Sequence, residues 1–327
     1  MIELRNDALE FHFPEVHPEA RCYFDFQRTL RIPDDNRDCF LPPGLGRFPV
    51  RHVDDFKGRL PEAWIRHGGV FLPMYQAEAL WLNFVGSYPC AVKIAAGKIN
   101  AVTGEAWKDR LTRRPQGYVV IPGQPWLDGF AVGEGLIRQF VAMPLGQGYS
   151  AEEQLTGEAE HGGLQIVAYP MKRERYEALP AQIADEPDMM CCACLAEPSP
   201  EMGLAPGGLM RQHIYQDEHG LDAWDQRAGS RCFVHITSSL SYFAITGSAP
   251  PHEPPTAQQY TKAGLPWFEY YAADKQALAG AAKLAGLDSV AAKAIKKGEG
   301  LVGEHEPVIP HQVVPLGGGH PVREGEF

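Results

Sequence analysis

The stretch Gly135-Leu136-Ile137-Arg138-Gln139-Phe140-Val141 returns 73 positions later as Gly208-Leu209-Met210-Arg211-Gln212-His213-Ile214. With one residue deleted the match continues, Gly148, Ala151, Glu153, Gln154 and Gly157 meeting Gly220, Ala223, Asp225, Gln226 and Gly229. Self-similarity of this kind marks an internal duplication. As a strand, the first copy sends Leu136, Arg138 and Phe140 to one face and Ile137, Gln139 and Val141 to the other. The second copy, read as a strand over 209–214, divides in the same way. Each copy thus sets an arginine and a glutamine on opposite faces, and the one that points inward needs hydrogen-bond partners there.

Working outward, each copy reads as strand, long Pro/Gly loop, strand, short helix, strand. Tyr118 to Ile121 precedes the first copy and Cys191 to Cys194 the second. Ser150-Ala151-Glu152-Glu153 fits a capping box, and Asp222-Ala223-Trp224-Asp225 is a weaker version of it. Leu164 to Tyr169 and Arg231 to Ile236 close the two units. The expected fold class is α+β, mainly β. Its core, residues 1–247, is sandwich-like and internally duplicated with pseudo-two-fold symmetry, the related units lying at about 118–169 and 191–240. A helical appendage (248–297) and an extended arm (298–327) follow.

Elsewhere the signals are simpler. Ala91 to Ile94 and Ile99 to Thr103 flank Ala95 to Lys98 as a hairpin. Lys93, Lys98 and Asn100 gather near its end, as an anion site or as the ordinary lysines of a sheet face. In Ala77 to Phe84, Trp81 and Asn83 share one side and Leu80, Leu82 and Phe84 the other. Tyr242 to Thr246 reads as the last sheet strand, Pro250 to Pro255 as a stiff connection, Thr256 to Gln259 as the capped start of a short helix, and Pro266 to Tyr271 as a helical or turn segment whose dense aromatics dock on the main body. Ala272 to Lys297 reads as helix with Leu278, Ala281, Ala282 and Ala285 as its apolar stripe, breakable at Gly286.

Charge and motifs narrow the function. Thirty Lys+Arg against 41 Asp+Glu give a formal net charge of -11, which opposes general attraction to nucleic acid or an anionic membrane. No apolar run has bilayer-spanning length. The seven cysteines have no regular spacing; reduced thiols in a cytoplasmic protein are the expectation. The C-x-x-C of Cys191 and Cys194 sits in a wholly apolar run and reads as a buried strand. Neither phosphate-loop motif nor a nucleophile elbow is present.

Three readings remain. The leading one is a cytoplasmic binding or assembly protein that presents loops on its duplicated scaffold or self-associates as a homo-oligomer. The second is a metal-dependent or acid–base enzyme, hydrolase-like, acting on a small anionic substrate. Catalysis would then fall to His213, His235, Asp225 and Tyr215, because imidazole and carboxylate groups titrate where proton transfer needs them. Arg211, Arg138, Gln212 and Trp224 would hold the substrate, and His213, His235 and Asp217 would ligate a divalent metal ion. The third is an anion receptor in which Arg138 and Arg211 grip a carboxylate or phosphate bidentately. Against it stands a structural role, each arginine holding its own loop through Glu153, Asp225 or backbone carbonyls.

Overall fold

Alternation is clearest in Arg21–Thr29 (β3), where Cys22, Phe24 and Phe26 are fully buried and Tyr23 and Gln27 are half-buried on the other face. In a computed structural model that describes residues 1–180, 201–270, 275–301 and 307–316, this strand lies within a ten-stranded sheet. Its main path is Ile2–Arg5 (β1), Ala8–His12 (β2), β3, Ala79–Val85 (β8), Leu136–Pro144 (β14), Met202–Arg211 (β16) and Asp38–Cys39 (β4). Gly44–Arg47 (β5), Trp126–Leu127 (β12) and Gly129–Gly133 (β13) pair alongside.

The second sheet has seven strands, ordered Ile99–Asn100 (β10), Cys90–Ala96 (β9), Leu164–Pro170 (β15), Ser230–Ser238 (β17), Val70–Met74 (β7) and Arg51–His52 (β6). Val119–Ile121 (β11) pairs with β9. Here β7, β9 and β15 are buried along their whole length, as strands covered on both faces should be. One large apolar cluster draws on both sheets, with Phe24, Leu82 and Phe140 from the first and Ile94, Ile166 and Val234 from the second. A smaller one joins Phe71 of β7 to Trp64 of Glu62–His67 (α1) and to Tyr242 and Ile245 of Ser239–Thr246 (α4). The protein is therefore mainly β with short helices, in the α+β class. No helix among the described residues is long and apolar enough to cross a membrane.

Several local expectations hold. The hairpin closes with Ile99 opposite Ala96. Ser150 forms both halves of a capping box with Glu153 at the start of Ala151–Thr156 (α2), and Thr256 does so with Gln259 for Ala257–Lys262 (α5). Arg173–Tyr176 (α3) is a single turn. Other expectations fail. Tyr242 to Thr246 belongs to α4: Ser238 caps it by accepting from Ser241 N, and buried Tyr242 and Ile245 fall three apart on one helical face. Residues 267–270 are extended, as Trp267–Tyr270 (β18), paired in parallel with Val313–Leu316 (β19). Phe268 and Leu41 exchange two backbone hydrogen bonds of 2.9 Å, which fasten this segment to the body. Among the described residues the helix expected over 272–297 forms only as Ala282–Ala285 (α6) and Val290–Lys297 (α7), with the break where it was expected, at Gly286. Leu284, Leu287, Val290, Ala291 and Ala294 are buried there, while Ala282 and Ala285 are exposed.

The two repeat copies are neighbours. β14 and β16 run antiparallel with Leu136 opposite Arg211, Ile137 opposite Met210 and Arg138 opposite Leu209. The elements beyond this core differ. The first strand starts at Leu136 after a turn at Gly135, whose φ of 67° suits glycine. The second strand arrives from Met202 and stops at Arg211, so His213 and Ile214 lie beyond its end. The second helix is a 3-10 turn, Leu221–Ala223, with no side-chain cap, and Asp222 pairs instead with Arg175. Cys191 to Cys194, and the part of the arm beyond residue 316, lie outside the described residues.

Candidate functional site

The repeated glutamines are the inward partners of the repeated arginines. Gln139 is fully buried; its amide donates to Leu30 O at 2.9 Å and accepts from Ile32 N at 3.1 Å. Gln212 is buried as well, donating to Asp128 Oδ2 at 2.8 Å and accepting from Asp128 N at 3.0 Å. One planar amide can satisfy a donor and an acceptor of a neighbouring chain together. Both arginines reach the segment 34–38. Arg138 donates to Gly207 O at 3.0 Å and to Asn36 Oδ1 at 3.1 Å, with Asp34 at 3.5 Å. Arg211 donates through Nε to Asp38 Oδ2 at 2.5 Å, which holds the Asp38 carboxyl below its ordinary pKa.

The proposed metal and acid–base residues occupy different surroundings. His235, on β17, is buried: its Nε2 is 3.0 Å from Gly68 O and its ring stacks on Trp64 at 4.5 Å. Burial lowers its pKa to about 4, so it is neutral near pH 7. Asp217 is buried and accepts from Tyr118 Oη at 2.6 Å, Trp224 Nε1 at 3.0 Å and His219 N at 2.8 Å. Trp224 is thereby fixed in the core. Asp225 accepts from Arg227 N at 3.0 Å in a surface turn. Tyr215 is buried; its backbone N donates to Gln124 and its backbone O accepts from Gln116. His213, His235 and Asp217 do not form a three-ligand group among the described residues, where Glu3, Glu10 and His12 alone bring such atoms within 4.8 Å of one another. That group already encloses a cation: Arg5 Nη2 lies 2.5 Å from Glu3 and Arg5 Nε 3.6 Å from Glu10.

Of the expected residues, Arg211 and His213 do meet in a cleft, of about 280 Å³. Tyr215 lies behind it, its ring stacked with that of His213 at 6.4 Å. Three carboxylates, Asp38, Glu134 and Glu269, line the cleft together with the Arg211 guanidinium. Arg211 Nη1 is 3.7 Å from Glu269, and its guanidinium lies over the Phe40 ring at 4.8 Å. Phe40, Phe268 and Tyr270 supply aromatic walls. Gly135 lets the hairpin approach closely: a Cβ there would lie 2.8 Å from His213 Nε2. The acidic residues come from three segments far apart in sequence, and no local motif announces them. Only the aromatic run at 267–271 pointed to this wall.

The lysines of the β9–β10 hairpin are likewise engaged. Buried Lys93 donates to the carbonyls of Lys108 and Arg110, and burial lowers its pKa to about 8. Lys98 pairs with Glu158 and Glu160. A further cluster groups His67 with His161 at 4.9 Å and with His235 at 6.2 Å, between ring centroids. All three imidazoles are driven toward the neutral form, chiefly by burial. Compared with known proteins, the chain matches no family model, no curated protein and no solved structure.

Proposed function

We propose that this is a ligand-binding protein, built on an internally duplicated, sandwich-like scaffold, whose cleft at Arg211 and His213 takes a small organic cation. The observation that carries the reading is the grouping of Asp38, Glu134 and Glu269 with a single arginine, set between aromatic walls. An ammonium or guanidinium group gains from the carboxylates and from the faces of Phe40, Phe268 and Tyr270. An incoming anion would instead have to displace Asp38 from Arg211. The anion-receptor alternative is therefore the weaker one, and the separation of His213 from His235 leaves the metal-dependent enzyme with less support.

The duplicated scaffold is supported by one register. Around Ile137 and Met210 each residue faces the counterpart of its own mirror position, which is the pattern of a local two-fold axis. The outer strands depart from that symmetry: β8 lies antiparallel to β14, whereas β4 lies parallel to β16.

Three near-isosteres that differ in charge test the cleft by titration calorimetry: phenethylamine, 2-phenylethanol and phenylacetate. Phenethylamine is expected to bind saturably, at least about tenfold more tightly than the other two, a difference of about 1.4 kcal/mol. Glu134→Gln and Glu269→Gln should each erode that preference. Preferential binding of phenylacetate, or no binding of any of the three, would overturn the proposal.

A further inference from the structure

The outer face of the ten-stranded sheet, away from the apolar core, carries a second arrangement. Its positions follow from strand register. Asp25 lies opposite Asn83, and Asn83 opposite Trp126. One step along, Arg47 lies opposite Gln27, and Gln27 opposite Trp81. Cross-strand partners share a face, so these six side chains form two adjacent rows.

The rows are internally organised. Asp25 is only 3% exposed. It accepts from Gln27 Nε2 at 2.6 Å and from Asn83 Nδ2 at 3.0 Å, with Arg47 at 3.4 Å. A buried carboxylate thus fixes two amides, and each amide keeps a carbonyl oxygen and a second N–H. Trp81 and Trp126 are half-buried, with centroids 6.3 Å apart and planes at 68°. Two indoles at that angle make a corner. Trp126 also packs against the main apolar cluster, but two partly exposed tryptophans beside an ordered polar network are suited to recognition.

We infer that this indole corner is a binding site for one pyranose ring of a neutral carbohydrate. A pyranose presents an apolar C–H face, which suits an indole, and a rim of hydroxyls that both donate and accept, which suits Gln27 and Asn83. Charge supports this class over polyanions and polycations, because Asp25 and Arg47 balance each other. The corner adjoins the cleft, since Trp126 meets the cleft wall Tyr270 edge-on at 4.8 Å, but none of its six side chains belongs to the group of carboxylates that lines the cleft with Arg211.

The experiment follows tryptophan fluorescence and heat as the full chain is titrated with cellotetraose, with maltotetraose and, in parallel, with adenosine. Saturable binding of at least one tetrasaccharide is expected with Kd at or below about 1 mM. Trp81→Ala and the milder Asn83→Ser should each weaken it by about fivefold or more while the unfolding midpoint stays near that of the parent. Glu134→Gln should leave it unchanged. The inference is overturned by absence of saturation with either sugar up to about 10 mM, by sugar binding indifferent to both variants, or by tighter binding of adenosine, which would mark the corner as a site for planar bases.

Discussion

His235 shows what a single buried side chain contributes. Its folded pKa of about 4 lies below the ordinary imidazole value of 6.5, so between those values the unfolded chain binds more protons than the folded one. Stability then rises with pH across that window and is lost as pH falls from 6.5 toward 4. The full effect is on the order of 3 kcal/mol. A His235→Gln variant should show a flatter stability–pH curve in urea melts at pH 4 to 7, and an unchanged slope would contradict the assignment. Asp128 has the opposite sign. Burial raises its pKa to about 7, so its contribution to stability declines as pH rises from the ordinary carboxyl range toward 7. Asp128→Asn, able to accept from Gln212 as before, should remove that decline. Gln139→Leu would leave Leu30 O and Ile32 N without their amide partner inside the protein. A loss of about 1–3 kcal/mol is expected in denaturant titration, and a loss below about 0.5 kcal/mol would show that the backbone finds other partners. At this scale the repeat was half legible. The sequence required one of the Arg/Gln pair to face inward, but only the neighbouring chain at residues 30–32 decides that it is the glutamine.

Elements with their own end signals were legible, and elements defined by neighbours were not. The capping boxes at Ser150 and Thr256 need only four consecutive residues. Ser150→Ala should cost about 1 kcal/mol of stability; chemical denaturation that detects no loss would contradict the box. By contrast, Tyr242 to Thr246 is as apolar as a strand, and the choice of helix rests on Ser238 closing β17 and capping α4. Trp267 to Tyr270 became a strand because Leu41 and β19 offer it backbone partners from distant sequence. The second repeat copy stopped early for a related reason. After Arg211, Gln212 adds one last backbone bond, its N–H donating to Gly135 O, and its side chain is held by Asp128, beyond which the chain leaves the ladder.

At the scale of the whole molecule, the candidate cleft exists because β4, the β13–β14 turn, the end of β16 and β18 converge. The sequence identified Arg211 and His213 as worth attention but assigned them partners from their own repeat unit. The fold gives Arg211 Asp38 and Glu269 instead, and this exchange reverses the charge of the expected ligand. Long-range charge acts in the same direction, since a net charge of -11 favours the approach of cations. Raising salt from about 50 to 500 mM should weaken phenethylamine binding several-fold, because the cleft is open enough for screening. Salt-independent affinity would point to apolar binding alone.

The most direct measurement maps backbone amide shifts while phenethylamine and phenylacetate are titrated in turn. Saturable shifts are expected for phenethylamine, centred on Gly135, Leu136, Arg211 and Glu269 and sharply reduced in a Glu134→Gln, Glu269→Gln double variant. Shifts centred elsewhere, or a stronger response at those residues to phenylacetate, would contradict cation binding in the cleft.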